Sequence, residues 1–411
     1  MKKNNVSNNI IMLYIMNITQ LILPLITLPY LTRVLSVDNY GVVSYVKSLT
    51  VYITLIIEFG FLLSGTKEIV LAKFNKQKIR NIIGTITLAK LILSIFAFLL
   101  LLVMIYNIPI LRRHTLFTIL SFWGPFLSIF LFDYLFRGLE KMQIITYRYL
   151  VMKGISTTLT FILVKGDSQL NLIPILDIIG SLVAVIWVFY ELKKMEIYPA
   201  FHEVHNVWSV LRISAIYFLS NVASTAFGAL NTLLVGIYLS SREVAYWGVI
   251  MSLIAAVQSL YSPISDGIYP YMISKKSLTF LTKIILFFIP LLFLGSCIAF
   301  FGAKLILNII GGSRYLAAYK YLQESVPMLI ISFFTMMFGW PALGTINKVK
   351  ETTLTTFIAA IVQIIGLVFL IVNNMFTISS IIIVRTISEF SMMLTRFLYI
   401  IRYHNDFNYK G

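Results

Sequence analysis

The sequence predicts an all-α integral membrane protein of twelve transmembrane helices, arranged as two parallel-repeat six-helix bundles. Three observations carry this. Apolar residues make up 59% of the 411-residue chain and charged residues only 12%, at a mean hydropathy of +0.90, whereas a soluble domain runs nearer ~25% charged. Twelve mostly apolar stretches approach the roughly 20 residues that a helix needs to cross the hydrocarbon layer. A short segment of the first half also recurs 204 residues later, at the same point of the second.

Taken in order, the apolar runs cover about 10–33, 41–64, 81–105, 115–136, 145–165 and 172–192, then about 209–238, 245–268, 281–301, 323–345, 354–373 and 378–401. The halves are 1–200 and 201–411, one six-helix lobe each. Pro24 and Pro29 lie inside the first run and are expected to kink it; prolines within spans are tolerated where neighbours or water satisfy the freed backbone groups. The longest outer connection, about 302–322, is expected to hold a short interfacial helix. The first run is too long for a signal-peptide core and more spans follow it, so no cleavable leader is expected. The single cysteine, Cys297, sits in an apolar run, which excludes a disulfide and a thiolate metal site.

Formal net charge is +17, which in a soluble chain would suggest nucleic acid. Here most of the excess falls in short loops, where it sets topology. With the N-terminus inside, twenty of the 33 lysines and arginines lie at the cytoplasmic ends, eight on the opposite side and five within spans. That imbalance predicts that both termini are cytoplasmic, and it removes nucleic acid as a partner.

The repeat joins Leu35-Ser36-Val37-Asp38-Asn39, leading to Ser48-Leu49, with Leu239-Ser240-Ser241-Arg242-Glu243, leading to Ser252-Leu253. Each marks the outer turn that enters the second helix of a half. Two halves of the same orientation form a parallel repeat about an axis along the membrane normal. The same offset sets Lys47 opposite Met251 and Glu58 opposite Ser262, so the halves share a frame and differ in charge.

Arg33, Lys47, Lys90 and Lys153 lie inside the spans or at their mouth, and none has an acid three or four residues away on its own helix. A charge at mid-bilayer costs roughly 2.5 to 3.5 kcal/mol on the insertion scale. These cations are therefore expected to line a wet, positive cavity suited to an anionic cargo, with snorkelling to the surface as the plainer alternative. At about 100° per residue, polar side chains form stripes: Ser44, Lys47, Thr54 and Glu58 on the second span, Thr87, Lys90 and Ser94 on the third, and Thr146, Tyr149, Lys153 and Thr157 on the fifth. Such hydroxyls also serve simply to bond neighbouring helices. On the twelfth span Arg385, Glu389 and Arg396 align, and Arg385 and Glu389, four apart, are placed to neutralise each other, as are Asp133 and Arg137. The intramembrane carboxylates Glu58, Asp177 and Glu389 serve either as proton carriers or as counter-charges; the sequence leaves both open. No Walker loop, HExxH motif, nucleophile elbow or cysteine–histidine cluster is present, so no catalytic role and no cofactor or metal are expected and transport is the default.

Further stretches of sequence carry a family likeness: Leu28-Pro-Tyr-Leu-Thr-Arg-Val-Leu35, Asn39-Tyr-Gly-Val-Val-Ser44, Glu58-Phe-Gly-Phe61, Thr66-Lys-Glu-Ile69 and Phe136-Arg-Gly-Leu-Glu-Lys-Met142, followed by Ala256-Val-Gln-Ser259, Ser262-Pro-Ile-Ser265 and Gly312-Ser-Arg-Tyr315. With these the chain resembles the O-antigen (Wzx-type) flippases of the polysaccharide-export branch of the multidrug/oligosaccharidyl-lipid/polysaccharide exporter superfamily. The resemblance implies two bundles around a central cavity that opens alternately to either side. It implies an undecaprenyl-pyrophosphate-linked oligosaccharide as cargo, moved from the cytoplasmic to the periplasmic leaflet of the bacterial inner membrane. Membrane lipid, a polysaccharide polymerase and chain-length proteins are the implied partners. The family's cationic cavity maps onto Arg33; Lys47, Lys90, Lys153 and Arg385 are assigned to the pyrophosphate by the stripes. Arg314 stands where many relatives have an acid. The rival readings are an ion-coupled drug or cation antiporter of the same fold, a polysaccharide polymerase or ligase, and a non-transporting scaffold. An antiporter for cations favours an acidic cavity, and a polymerase or ligase a long outer loop that 302–322 does not supply.

Overall fold

The computed structural model describes residues 3–72, 75–200 and 207–407, and helix is the only regular secondary structure among them. The first part of the chain forms α1 (Lys3–Val34), α2 (Val37–Glu58), α3 (Phe61–Leu71), α4 (Lys76–Asn107), α5 (Pro109–Arg113), α6 (Thr115–Ser128), α7 (Asp133–Gly138), α8 (Met142–Leu163) and α9 (Leu172–Lys194). There follow α10 (Val207–Tyr238), α11 (Ser241–Ser259), α12 (Ser262–Lys275), α13 (Leu278–Phe301), α14 (Ala303–Gly311), α15 (Tyr319–Glu324), α16 (Val326–Phe338), α17 (Val349–Val372) and α18 (Ile378–Arg402). The chain forms two compact units that meet in sequence at Ala245 and Tyr246.

Among the described residues ten helical segments are long and apolar enough to cross a membrane. They coincide with ten of the expected runs; α8, which carries Arg148 and Lys153, and α10 stand at the other two. This is a multi-pass membrane protein. Large apolar side chains that would be inside a soluble protein are exposed instead, among them Phe287 at 74% and Ile186 at 68%, as lipid-facing positions require.

The duplication is visible in the helices themselves. Both α1 and α10 are 32 residues long, and both their ends are offset by 204. The starts of α2 and α11 keep the same offset. The caps match too: Ser36 Oγ accepts from the Asn39 N–H, and Ser240 Oγ accepts from the Glu243 N–H while Glu243 accepts in return from the Ser240 N–H. The serines of the repeated segment are thus N-caps, satisfying backbone donors that a helix start leaves open. The expected helix in the 302–322 connection is also present, as α14.

In the first unit α8 packs along α9 and α1, α6 bridges α9 and α2, and α10 lies on α2, α3 and α4. Phe61, Ile83, Tyr134, Leu135 and Val188 are among its buried side chains. In the second unit α18 packs on α16 and α17, and α13 on α16.

The second run is broken. The chain leaves α2 through Phe59 and Gly60, both at positive φ (39° and 79°), before α3 begins. Gly60 is required on two counts. Its φ is one that residues with a Cβ rarely adopt, and an added Cβ would lie 2.6 Å from the Tyr217 Cβ and 2.8 Å from the Phe218 N. The Phe59 ring stacks on Phe218, with centroids 4.4 Å apart. Replacing Gly60 by Ala should therefore lower stability by about 1–3 kcal/mol. Gly295→Ala, where an added Cβ meets nothing within 4 Å, should leave the thermal melt of the detergent-solubilised protein near wild type.

Candidate functional site: a cationic cavity in the first unit

Four helices of the first unit enclose a cavity of about 440 Å³, within the usual range of small-molecule sites. Helical periodicity decides which side chains reach it. From α2 come Val43, Lys47, Thr50 and Thr54, spaced as one face of a helix; from α6 come Phe117, Ser121, Gly124 and Ser128 on the same pattern. The α9 face adds Ile173, Asp177 and Ser181, and α8 adds Met152 and Lys153.

Three charges sit in this wall. Lys153 Nζ donates to Asp177 Oδ1 at 3.0 Å, and Ser156 Oγ donates to the same oxygen at 2.6 Å. The Lys153 and Asp177 side chains each remain about a third exposed, at 36% and 34%. Lys47 is exposed to the cavity, and no carboxylate among the described residues lies within ion-pair distance of it. It feels the attraction of Asp177 and the repulsion of Lys153. With two ammonium groups and one carboxylate, the wall carries one net positive charge. An ion pair plus a neighbouring cation is an arrangement suited to an entering anion, which gains both ammonium groups as partners.

The remaining cations are placed differently. Lys90 is 2% exposed and donates to both oxygens of Glu58 at 2.8 Å, with its ammonium 5.5 Å from the Tyr134 ring centre. Neither Lys90 nor Glu58 is among the cavity-lining side chains. The position of Glu58 explains the pairing: it is the last residue of α2, where the helix dipole already concentrates negative charge. Arg33 is exposed in the last turn of α1 and is not part of the cavity wall. Arg385 belongs to the second unit, where its Nη1 contacts the Met251 sulfur at 3.2 Å. Glu389 is buried beside it at 7% exposure, yet no ion pair joins the two among the described residues. Arg396 is held instead by hydroxyls and a carbonyl, those of Thr355, Thr356 and Thr335. Asp133 pairs with Arg148 of α8 rather than with Arg137 on its own helix.

Sequence periodicity missed Thr50, Ser121, Ser128 and Ser181 as wall residues. The seven-residue spacing of Ser121 and Ser128 was the available signal for α6, and its meaning depended on knowing which helices face it.

This architecture is shared with known transporters. An inward-facing multidrug resistance MATE family transporter of the MOP superfamily aligns over 95% of this chain and 100% of its own, with a TM-score of 0.61 at 13% identity. An outward-facing structure of a transporter of that description aligns over 98% and 96%, with a TM-score of 0.51 at 14% identity. The fold is therefore that of MOP-superfamily membrane transporters. Within that fold the chain belongs to the family described as polysaccharide biosynthesis protein, whose pattern matches residues 6–276. Two relatives, each named "Putative O-antigen transporter", come from Escherichia coli strain K12 and Shigella dysenteriae. They are 26% identical over 85% of this chain and 86% of their own length, and 25% identical over 87% and 91%, respectively.

The two kinds of lysine should separate in a stability assay. Lys90→Ala strands the Glu58 carboxylate and should cost about 3 kcal/mol, the lower end for a broken buried pair because Glu58 retains some exposure. Lys47→Ala removes a cation that no carboxylate holds, and its melting temperature should stay within about 2 °C of wild type, as for substitutions outside a buried network.

Proposed function

We propose that this chain is a flippase for a lipid-linked oligosaccharide, carried on undecaprenyl pyrophosphate and moved by alternating access from the cytoplasmic to the periplasmic leaflet. The observation that carries the reading is Lys47, a cation set in a membrane-embedded wall beside the Lys153–Asp177 pair. A multiply negative headgroup pays a large penalty in a low-dielectric layer, and fixed ammonium groups along its path lower it. The polyprenyl tail stays in lipid while the headgroup crosses. Membership of a polysaccharide biosynthesis family and likeness to relatives named as O-antigen transporters support a cargo of this kind.

In this scheme Lys47 and Lys153 hold the pyrophosphate, and Asp177 is the counter-charge that Lys153 exchanges for it. Arg33 and Arg385 act on the headgroup outside the first-unit cavity, and Lys90 acts through Glu58 on the shape of α2. Any ion coupling runs through a carboxylate, Asp177, Glu58 or Glu389. The protein sits in the inner membrane with both termini cytoplasmic, the arrangement favoured by the basic loops, and works beside a polymerase and chain-length proteins. The sequence halves 1–200 and 201–411 are the two lobes that alternate. The net positive wall argues against an antiporter of cations, which would need the opposite sign.

In a strain lacking this protein, Lys47→Ala together with Lys153→Ala should reduce surface polysaccharide at least about tenfold, a loss equivalent to ~1.4 kcal/mol of headgroup stabilisation. Lipid-linked repeat units should accumulate in the inner leaflet. Wild-type polysaccharide from the double variant at normal protein level would refute the assignment.

A further inference from the structure

Each hydroxyl that lines the first-unit cavity has its proton engaged by its own helix. Thr50 Oγ1 donates to the Lys47 carbonyl at 2.7 Å and Thr54 Oγ1 to that of Thr50 at 2.7 Å. Ser121 Oγ donates to the backbone carbonyl of Phe117 at 2.8 Å, Ser128 Oγ to that of Pro125 at 2.6 Å and Ser181 Oγ to that of Asp177 at 2.7 Å. A hydroxyl has one proton and two lone pairs, so these five groups offer lone pairs to the cavity. Asp177 adds to them. Lys153 and Ser156 both donate to Oδ1, while Oδ2 accepts from no donor among the described residues. The wall is thus rich in acceptors, and its donors are the ammonium groups of Lys47 and Lys153.

That combination is selective. A bare phosphate satisfies the lysines but brings only one or two P–OH donors to a ring of six acceptors. A neutral sugar satisfies the acceptors and leaves Lys47 without an anion. A sugar bonded to a phosphate supplies acceptor oxygens for the lysines and hydroxyl or amide donors for the wall in one molecule. We infer that Asp177 determines specificity here: with the phosphate on Lys47, the sugar joined to it donates to Asp177 Oδ2 and to the hydroxyl wall. The inference rests on the reading of this cavity as the cargo-headgroup site and sharpens it, because it makes the sugar next to the phosphate the one that is read and Asp177 the residue that reads it.

The test uses the full chain in lipid nanodiscs, with calorimetric titration of inorganic phosphate, glucose and α-D-glucose 1-phosphate. Glucose 1-phosphate should bind about tenfold or more tightly than inorganic phosphate, the worth of one or two net hydrogen bonds, and glucose alone should show no measurable heat. Asp177→Asn keeps an oxygen for Lys153 and Ser156, removes a negative charge and turns the unengaged acceptor into a donor. Inorganic phosphate should then bind more tightly, while the preference for glucose 1-phosphate falls to about threefold or less. Ser128→Ala, which removes a wall lone pair without changing charge, should lower the same preference in a protein of unchanged melting temperature. A glucose 1-phosphate that binds no better than phosphate, or a preference unmoved by both variants, overturns the inference and leaves the headgroup site standing. Binding of both phosphates that Lys47→Ala does not weaken removes the headgroup site itself, and this inference with it. The same headgroup on a short prenyl chain separates the sources: a gain in affinity assigns a lipid-linked ligand and an equal affinity a soluble one, and either supports glycosyl phosphate recognition.

Discussion

A charge inside the hydrocarbon layer has to find an opposite charge, a cluster of polar groups or water, and in the first unit this constraint fixes which faces the helices turn toward one another. Lys90 draws the end of α2 against α4 through Glu58. Arg148 ties α8 to the start of α7 through Asp133, and it also donates to the Leu131 carbonyl at 2.9 Å. Lys153 joins α8 to α9 through Asp177. Each pair crosses from one helix to a neighbour, and together they set the azimuth of helices whose apolar surfaces alone would pack in several ways. With those faces fixed, Lys47 is left in the cavity wall beside the last of these pairs.

The helices and their duplication were legible in the sequence because both depend on local quantities. Run length follows from bilayer thickness, and a constant offset of 204 needs only a comparison of the chain with itself. The site was legible in part. Lys47 and Lys153 stand out from sequence alone, since neither has an acid three or four residues away on its own helix, and both line the cavity. Lys90 shows the same signal and is bound elsewhere, because the difference lies in which carboxylate a neighbouring helix presents. That depends on tertiary packing, as does the choice of Arg148 over Arg137 for Asp133.

The break at Phe59–Gly60 shows how a local rule yields to packing. Nothing in the apolar pattern of 41–64 requires a helix to stop there. It stops because Gly60 adopts a left-handed turn against α10, and the stop places a carboxylate at a helix C-terminus. Lys90 offsets that unfavourable placement, so the turn and the ion pair form one unit: α3 changes direction where α2 ends in a neutralised tip.

The repeat has a consequence for where the charges sit. Counted by the offset that relates the start of α2 to that of α11, Lys47 corresponds to Met251. In the first unit Lys47 lines a cavity, and in the second Met251 takes that position and touches Arg385 of α18. A cation therefore stands at this point of the frame in each half, borne by the second helix of one and the last helix of the other, so each half serves as a register-matched natural variant of the other.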